Sequence, residues 1–171
     1  PDMDKFFGPE SLLASHLPHY QFRLGQLQMA QAVADLLQDD DHLPSTGRAA
    51  CLAIEAETGL GKTLAYLIPA VISGHRVVVS TNTRNLQDQI LQREIPLITE
   101  TICPELKALC VKGRQNYLCL YRWNQFQGGD QYRLFTTEQA EEIEKWIKTT
   151  VHADRSELTW LSADSPLWQK I

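Results

Sequence analysis

Lys62 and Thr63 stand near the middle of the stretch "LAIEAETGLGKTLAYLIP" at 52–69, directly behind Gly59 and Gly61. An ammonium and a hydroxyl side by side after two closely spaced glycines suit a phosphate chain and its magnesium ion. Glycine adopts backbone angles closed to other residues and lets main-chain N–H groups come close to an anion. A helix beginning at that point adds an aligned dipole that favours negative charge. In such a loop Lys62 reaches the β- and γ-phosphates, and Thr63 gives its hydroxyl to Mg²⁺. The segment Ala56, Glu57, Thr58, Gly59, Leu60, Gly61, Lys62, Thr63 therefore reads as a nucleotide-phosphate loop. Ala56 stands where G-x-x-x-x-G-K-[ST] has its first glycine, which adds only a methyl group if the backbone there is ordinary. Glu57 puts a negative charge beside an anion site, so it must face solvent or pair with a cation.

The elements that would position this loop follow from hydrophobic periodicity. Residues 49–56, "AACLAIEA", form a short apolar run expected as a buried strand ahead of the loop. Helix-forming and apolar residues run from Lys62 to about Ser73. Upstream, Leu27, Ala30, Val33, Ala34 and Leu37 lie at helical spacing within 24–38, and "DDDHLPSTG" at 39–47 then breaks the pattern as an exposed loop. Downstream, "RVVVST" at 76–81 predicts a second buried strand. Leu86, Ile90 and Leu91 predict a helix over 83–95, and "LKALCVKG" at 106–113 a third strand running into a loop. Strand, helix, strand, helix, strand implies a parallel α/β sheet with right-handed crossovers. Beyond a boundary near 112–118 the pattern becomes helical: "YRWNQF", then a helix carrying Ala140, Ile143, Trp146 and Ile147 after Thr137. "TWLSADSPLWQKI" is apolar and reads as part of something longer.

Composition narrows the function classes. The chain has 171 residues, 43% hydrophobic and 22% charged, which suits a folded domain with a real core. No apolar run approaches the roughly 18–20 residues that cross a bilayer, and "PDMDKFFGPE" is no secretory signal, so a cytoplasmic protein without a membrane partner is expected. The net charge of −5 means that any nucleic-acid contact must use a local strip. Cys51, Cys103, Cys110 and Cys119 contain no C-x-x-C pair, which gives little support to a zinc site. Cys51 is expected to be a small buried hydrophobe. No strand after residue 63 ends in an acid that could complete a magnesium site, so that acid is expected beyond these residues.

"AETGLGKTLAYLIPA", "VVVSTNTRNLQDQIL" and "VKGRQNYLC", in that order, resemble the superfamily 2 DNA helicases of the DinG/XPD type, particularly the bacterial DinG and YoaA branch. The resemblance runs from about residue 20 onward, and "DRSEL" at 154–158 with the apolar stretch up to Trp168 also matches. The family's first motif begins A-x-x-G-x-G-K-T, which accounts for Ala56, whereas Glu57 departs from the usual Gly. The resemblance implies a P-loop NTPase fold: part of a RecA-like motor domain over 1–111, then the start of an inserted helical iron–sulfur domain over 112–171.

It also implies site residues. "YQFRLGQLQMA" at 20–30 is similar to the family's adenine-recognition segment, with Gln26 on the adenine edge and Phe22 and Arg23 nearby; without the family, Gln26 is a polar residue on an amphipathic helix. "STNTRNLQDQ" at 80–89 resembles the motif that holds single-stranded DNA, which points to Thr81, Asn82 and Thr83. A helix N-cap at Asn82 or Thr83 is compatible with that role. "KGRQNYLC" looks like the approach to a [4Fe–4S] domain. Cys119 matches the first of four cluster cysteines, and the other three are expected beyond residue 171. Lys112 and Arg114 would lie near the DNA or the cluster. Tyr117, Arg122 and Trp123 could stack on bases, although packing suits Trp123 better. The implied function is an ATP- and Mg²⁺-dependent 5′–3′ helicase acting on single-stranded or forked DNA. Two alternatives remain open: a P-loop phosphotransferase without a DNA role, and a truncated motor serving as an interaction module.

Overall fold

A computed structural model of the chain describes residues 2–38, 50–129, 137–162 and 164–171. The loop expected at 39–47 and the first residue of the run at 49–56 lie outside the described residues. Two compact units are present, residues 1–110 and residues 111–171.

In the first unit, α1 (Asp4–Phe7) and α2 (Leu12–His16) precede α3 (Leu24–Gln38) and α4 (Lys62–Ile72). Ser11 caps α2 by accepting a hydrogen bond from the Ala14 N–H. The periodic residues of α3 face α4, and this pair forms the centre of the unit. Ala30 and Ala34, one turn apart on α3, meet Ala65 and Ile68 of α4 in a core that also takes Met3, Phe7, Leu13, Leu67 and Ile98. Small residues at the crossing let the two helix axes approach closely, and the long side chains close the core around them. Farther along, α5 (Arg84–Gln89) passes into one π-helical turn, Ile90–Glu94, and then into α6 (Ile95–Thr101).

The expected strands are not paired. Among the described residues there is no strand ladder, and 50–56, 76–81 and 106–113 carry no strand assignment. A strand is a property of two segments, because its N–H and C=O groups need a neighbour. No described segment supplies that neighbour, so apolar side chains that would fill a sheet lie open: Val78 is 89% exposed, and Leu52, Ile54, Val77, Val79 and Leu109 are also exposed. Cys51 is exposed for the same reason, which corrects the expectation of a buried residue.

The second unit is helical. Among the described residues its elements are α7 (Leu120–Gln127), α8 (Thr137–Ile147) and short 3₁₀ turns at Arg114–Asn116, Arg155–Glu157 and Trp168–Lys170. Trp123, Phe126, Ala140, Ile143, Leu158, Leu161, Leu167 and Trp168 make one core. Trp123 is buried against Phe126 with ring centroids 5.9 Å apart, so it packs rather than offering a stacking face. Among the described residues no helix is long and apolar enough to cross a membrane.

Candidate functional site

The loop between Ala56 and Lys62 bends through two left-handed glycines, Gly59 at φ 82° and Gly61 at φ 88°. Gly61 is the N-cap of α4, and among the described residues no side chain caps that helix start. Its first intrahelical bond runs from the Ala65 N–H to the Gly61 carbonyl at 3.2 Å. The N–H groups of the first turn are thus left without a side-chain acceptor at the end where the helix dipole is positive. Around Gly59 there is open space where a Cβ would stand. Uncapped donors, a positive helix end and an open glycine together fit a phosphate group.

Lys62 begins α4 and turns its ammonium back over the loop, donating to the carbonyls of Ala56 at 2.8 Å and Glu57 at 2.7 Å. The charge is therefore held at the loop by two neutral acceptors, the kind of partner that a phosphate oxygen outcompetes. Glu57 is exposed, as a carboxylate beside an anion site must be if it lacks a cation. Thr58 is exposed as well. Leu60 is half-buried, with its side chain against Gly25. A cleft of about 370 Å³ beside the loop is lined by Gly25, Met29, Ile54, Ala56, Glu57 and Leu60, among others.

Gln26 is buried, and its side-chain amide donates to the Gly61 carbonyl at 3.0 Å. That bond ties α3 to the loop, so the amide N–H proposed for adenine is engaged with the protein. Phe22 and Arg23 are exposed just ahead of it, and the Arg23 carbonyl receives the N–H groups of Gln26 and Leu27. Thr63 is half-buried one turn before Tyr66, and the Thr63 side chain acts to lower the Tyr66 pKa. Burial chiefly, against that influence, and the Glu94 charge in addition, hold the Tyr66 phenol above its ordinary pKa.

Thr81, Asn82 and Thr83 form the corner leading into α5. Thr83 is the N-cap, its hydroxyl oxygen accepting from the Leu86 N–H at 3.3 Å. Thr81 donates to the Thr83 carbonyl at 3.2 Å, and Asn82 is exposed. Thr81 and Asn82 also line an apolar groove of about 550 Å³ with Tyr66, Val33 and Leu86.

Lys112 and Arg114 belong to the second unit. Arg114 is exposed. Lys112 is buried: its ammonium lies 2.7 Å from Asp154 Oδ2 and 3.4 Å from Ser156 Oγ, and its N–H donates to the Tyr117 hydroxyl at 2.8 Å. Burial alone would raise the Asp154 pKa, but hydrogen bonds from Lys112 and Ser156, with the Lys112 charge, hold it below the usual carboxylate value. Lys112 is thus a pin within its own unit rather than an open cation. Its partner was hidden 42 positions away in "DRSEL"; the local signal was an Asp two residues before a Ser, whose N–H the Asp154 side chain accepts at 2.8 Å. Cys119 is half-buried at the start of α7, and its N–H donates to the Ile171 carbonyl at 3.3 Å. Among the described residues no group of three or more His, Cys, Asp or Glu side chains is placed to hold a metal ion.

The family described as DEAD/DEAH box helicase matches residues 28–151. An ATP-dependent DNA helicase YoaA of Haemophilus influenzae is 37% identical over 159 residues, covering 91% of this chain and 23% of that protein. YoaA of Escherichia coli is 34% identical over 164 residues, covering 95% and 24%. A Bacillus subtilis protein named 3′-5′ exonuclease DinG is 32% identical over 170 residues, covering 96% and 17%. The chain thus spans a quarter or less of the length of these relatives. With a glycine-turned loop at the head of α4 and a family match over most of its length, the chain belongs to the DEAD/DEAH box helicases.

Proposed function

We propose that this chain is the nucleotide-binding part of an ATP-dependent DNA helicase of the DinG/YoaA kind. The carrying observation is the loop: left-handed Gly59 and Gly61, an uncapped α4 start, and the Lys62 ammonium resting on two loop carbonyls. On nucleotide binding Lys62 exchanges those carbonyls for phosphate oxygens. Thr63 gives its hydroxyl to Mg²⁺, which when bound supplies charge neutralisation for the phosphates. Phe22 and Arg23 lie on the adenine side, and Gln26 links that side to the loop through Gly61.

The exposed apolar segments 50–56 and 76–81 support a RecA-like parallel sheet completed by strands from the rest of the protein. Single-stranded DNA is assigned to Thr81 and Asn82, with Thr83 holding the corner as a cap, and to Arg114. Lys112 acts indirectly, by fixing the segment that carries Arg114. For a [4Fe–4S] cluster the described residues do not suffice: Cys119 is one thiolate of the four needed, and among the described residues no group of three or more His, Cys, Asp or Glu side chains is gathered. Cys119 as one of four ligands therefore depends on cysteines elsewhere in the complete protein. The reading keeps the protein in the cytoplasm.

The test is strand separation by the complete protein on a forked duplex. Unwinding that requires both ATP and Mg²⁺ is expected. Strand shortening without separation would favour the nuclease named for the Bacillus relative. ATP consumption indifferent to DNA would favour a phosphotransferase, and binding without turnover an interaction module.

A further inference from the structure

We propose that the N-terminal helix pair, α1 and α2, is a clasp that serves recognition of the base, with Tyr20 as the positioning residue that holds Phe22 ready to stack on an adenine ring. This rests on the placement of Phe22 on the adenine side given above. Stacking on a base takes an aromatic face that is open and held in one place. Phe22 is 41% exposed, so the core does not consume its ring. It lies in 21–23, a stretch with neither helix nor strand that runs between two fixed points.

The first fixed point is the clasp. Met3, Phe7 and Leu13 are fully buried in one core with Ala30 of α3, and the Met3 N–H donates to Gln31 Oε1 of the same helix at 3.3 Å. The Tyr20 hydroxyl donates to the Phe7 carbonyl at 2.6 Å, closing the segment on itself across 13 residues. Just before it the chain turns through His19 at φ 65°, a left-handed conformation disfavoured for a residue with a Cβ. Such strain persists where the surrounding contacts fix it. Here the turn delivers the Tyr20 ring to the core and its hydroxyl to Phe7. The second fixed point is the start of α3. The Arg23 carbonyl accepts from the Gln26 N–H at 3.0 Å, and the Gln26 side chain is bonded to Gly61 of the phosphate loop. Phe22 thus stands two residues from a tyrosine locked to the clasp and one from a helix start tied to the loop. With both ends held, a base that stacks on the ring has little chain left to order.

The experiment displaces a fluorescent ATP analogue from the complete protein with ATP and, separately, with inorganic triphosphate. The ratio of the two dissociation constants is the gain from the nucleoside. It is compared in the unaltered protein, Tyr20→Phe, Phe22→Ala and the double variant, with a melting curve on each. Tyr20→Phe is expected to cut the gain about three- to tenfold, the worth of one neutral hydrogen bond, with triphosphate affinity unchanged. The double variant is expected to match Phe22→Ala alone, since both changes act through one ring. A full gain in Tyr20→Phe would overturn the proposal even if melting fell, because the clasp would then serve stability alone. Equal weakening of both competitors, or a further loss on adding Tyr20→Phe to Phe22→Ala, would overturn it too. Phe22→Ala keeping the full gain would instead overturn the adenine placement of Phe22, and an analogue that fails to bind the unaltered protein would overturn the nucleotide reading itself.

Discussion

Gly61→Ala and Gly59→Ala make a matched pair, because both glycines are left-handed but only one is crowded. A Cβ on Gly59 meets nothing within 4 Å, whereas one on Gly61 stands 2.3 Å from Gln26 Nε2 and 2.9 Å from its Cδ. Gly59→Ala should therefore cost only the left-handed strain of an L-residue, about 1–2 kcal/mol. Gly61→Ala carries the same strain and also expels the Gln26 amide, losing its 3.0 Å bond to the Gly61 carbonyl. Loss of that bond, with a buried amide left unpaired, adds about 1–3 kcal/mol, for a total of roughly 2–5 kcal/mol. Native-state hydrogen exchange of the complete protein, followed over α3 and α4, reads both variants on one scale. In a Gln26→Ala background the clashing atoms are gone, so the two penalties should converge to within about 0.5 kcal/mol, the usual limit of additivity. Equal penalties in the natural background, or an excess for Gly61→Ala that survives Gln26→Ala, would refute the packing of Gln26 on the loop.

Three further outcomes are expected. Asp154→Asn removes the carboxylate charge 2.7 Å from the buried Lys112 ammonium and should destabilise the second unit by about 3 kcal/mol. Because the folded Asp154 pKa is depressed, the ion pair's contribution is complete above the ordinary carboxylate value and is lost as pH falls through the folded one; the variant should lack that acid-side loss. Urea titrations at several pH values, followed by tryptophan fluorescence, check this, since all four tryptophans lie between 123 and 168. Ile143→Ala, at a fully buried position of α8, should cost about 2–5 kcal/mol in the same titration. Thr83→Ala removes the cap of α5 and should speed amide exchange there by the equivalent of about 1 kcal/mol; unchanged exchange would count against the cap.

The helices were legible because their signals are local. The periodicity over 24–38 coincides with α3, and the run from Lys62 ends at Ile72, one residue short of the expected Ser73. Gly59, Gly61 and Lys62 marked the loop because its bend needs left-handed glycine whatever the tertiary context. Other features depend on partners that a single stretch cannot display. The valines of 76–81 predict a strand, but a ladder needs a second segment, and none is present among the described residues. The resemblance put Lys112 near the DNA or the cluster, and its ion pair was not legible because its partner Asp154 is 42 positions away. The π-turn Ile90–Glu94 was not legible because it shifts register by one residue, breaking the 3.6-residue pattern by which 83–95 reads as a plain helix.

The most direct test of the nucleotide loop is Lys62→Ala in the complete protein, with ATP turnover and single-stranded DNA binding measured on one preparation. The loop geometry predicts that turnover falls to background while binding of an oligonucleotide without nucleotide stays within about twofold, a change under 0.5 kcal/mol. Normal turnover in that variant would contradict the assignment of Lys62, and with it the reading of residues 56–63 as a phosphate site.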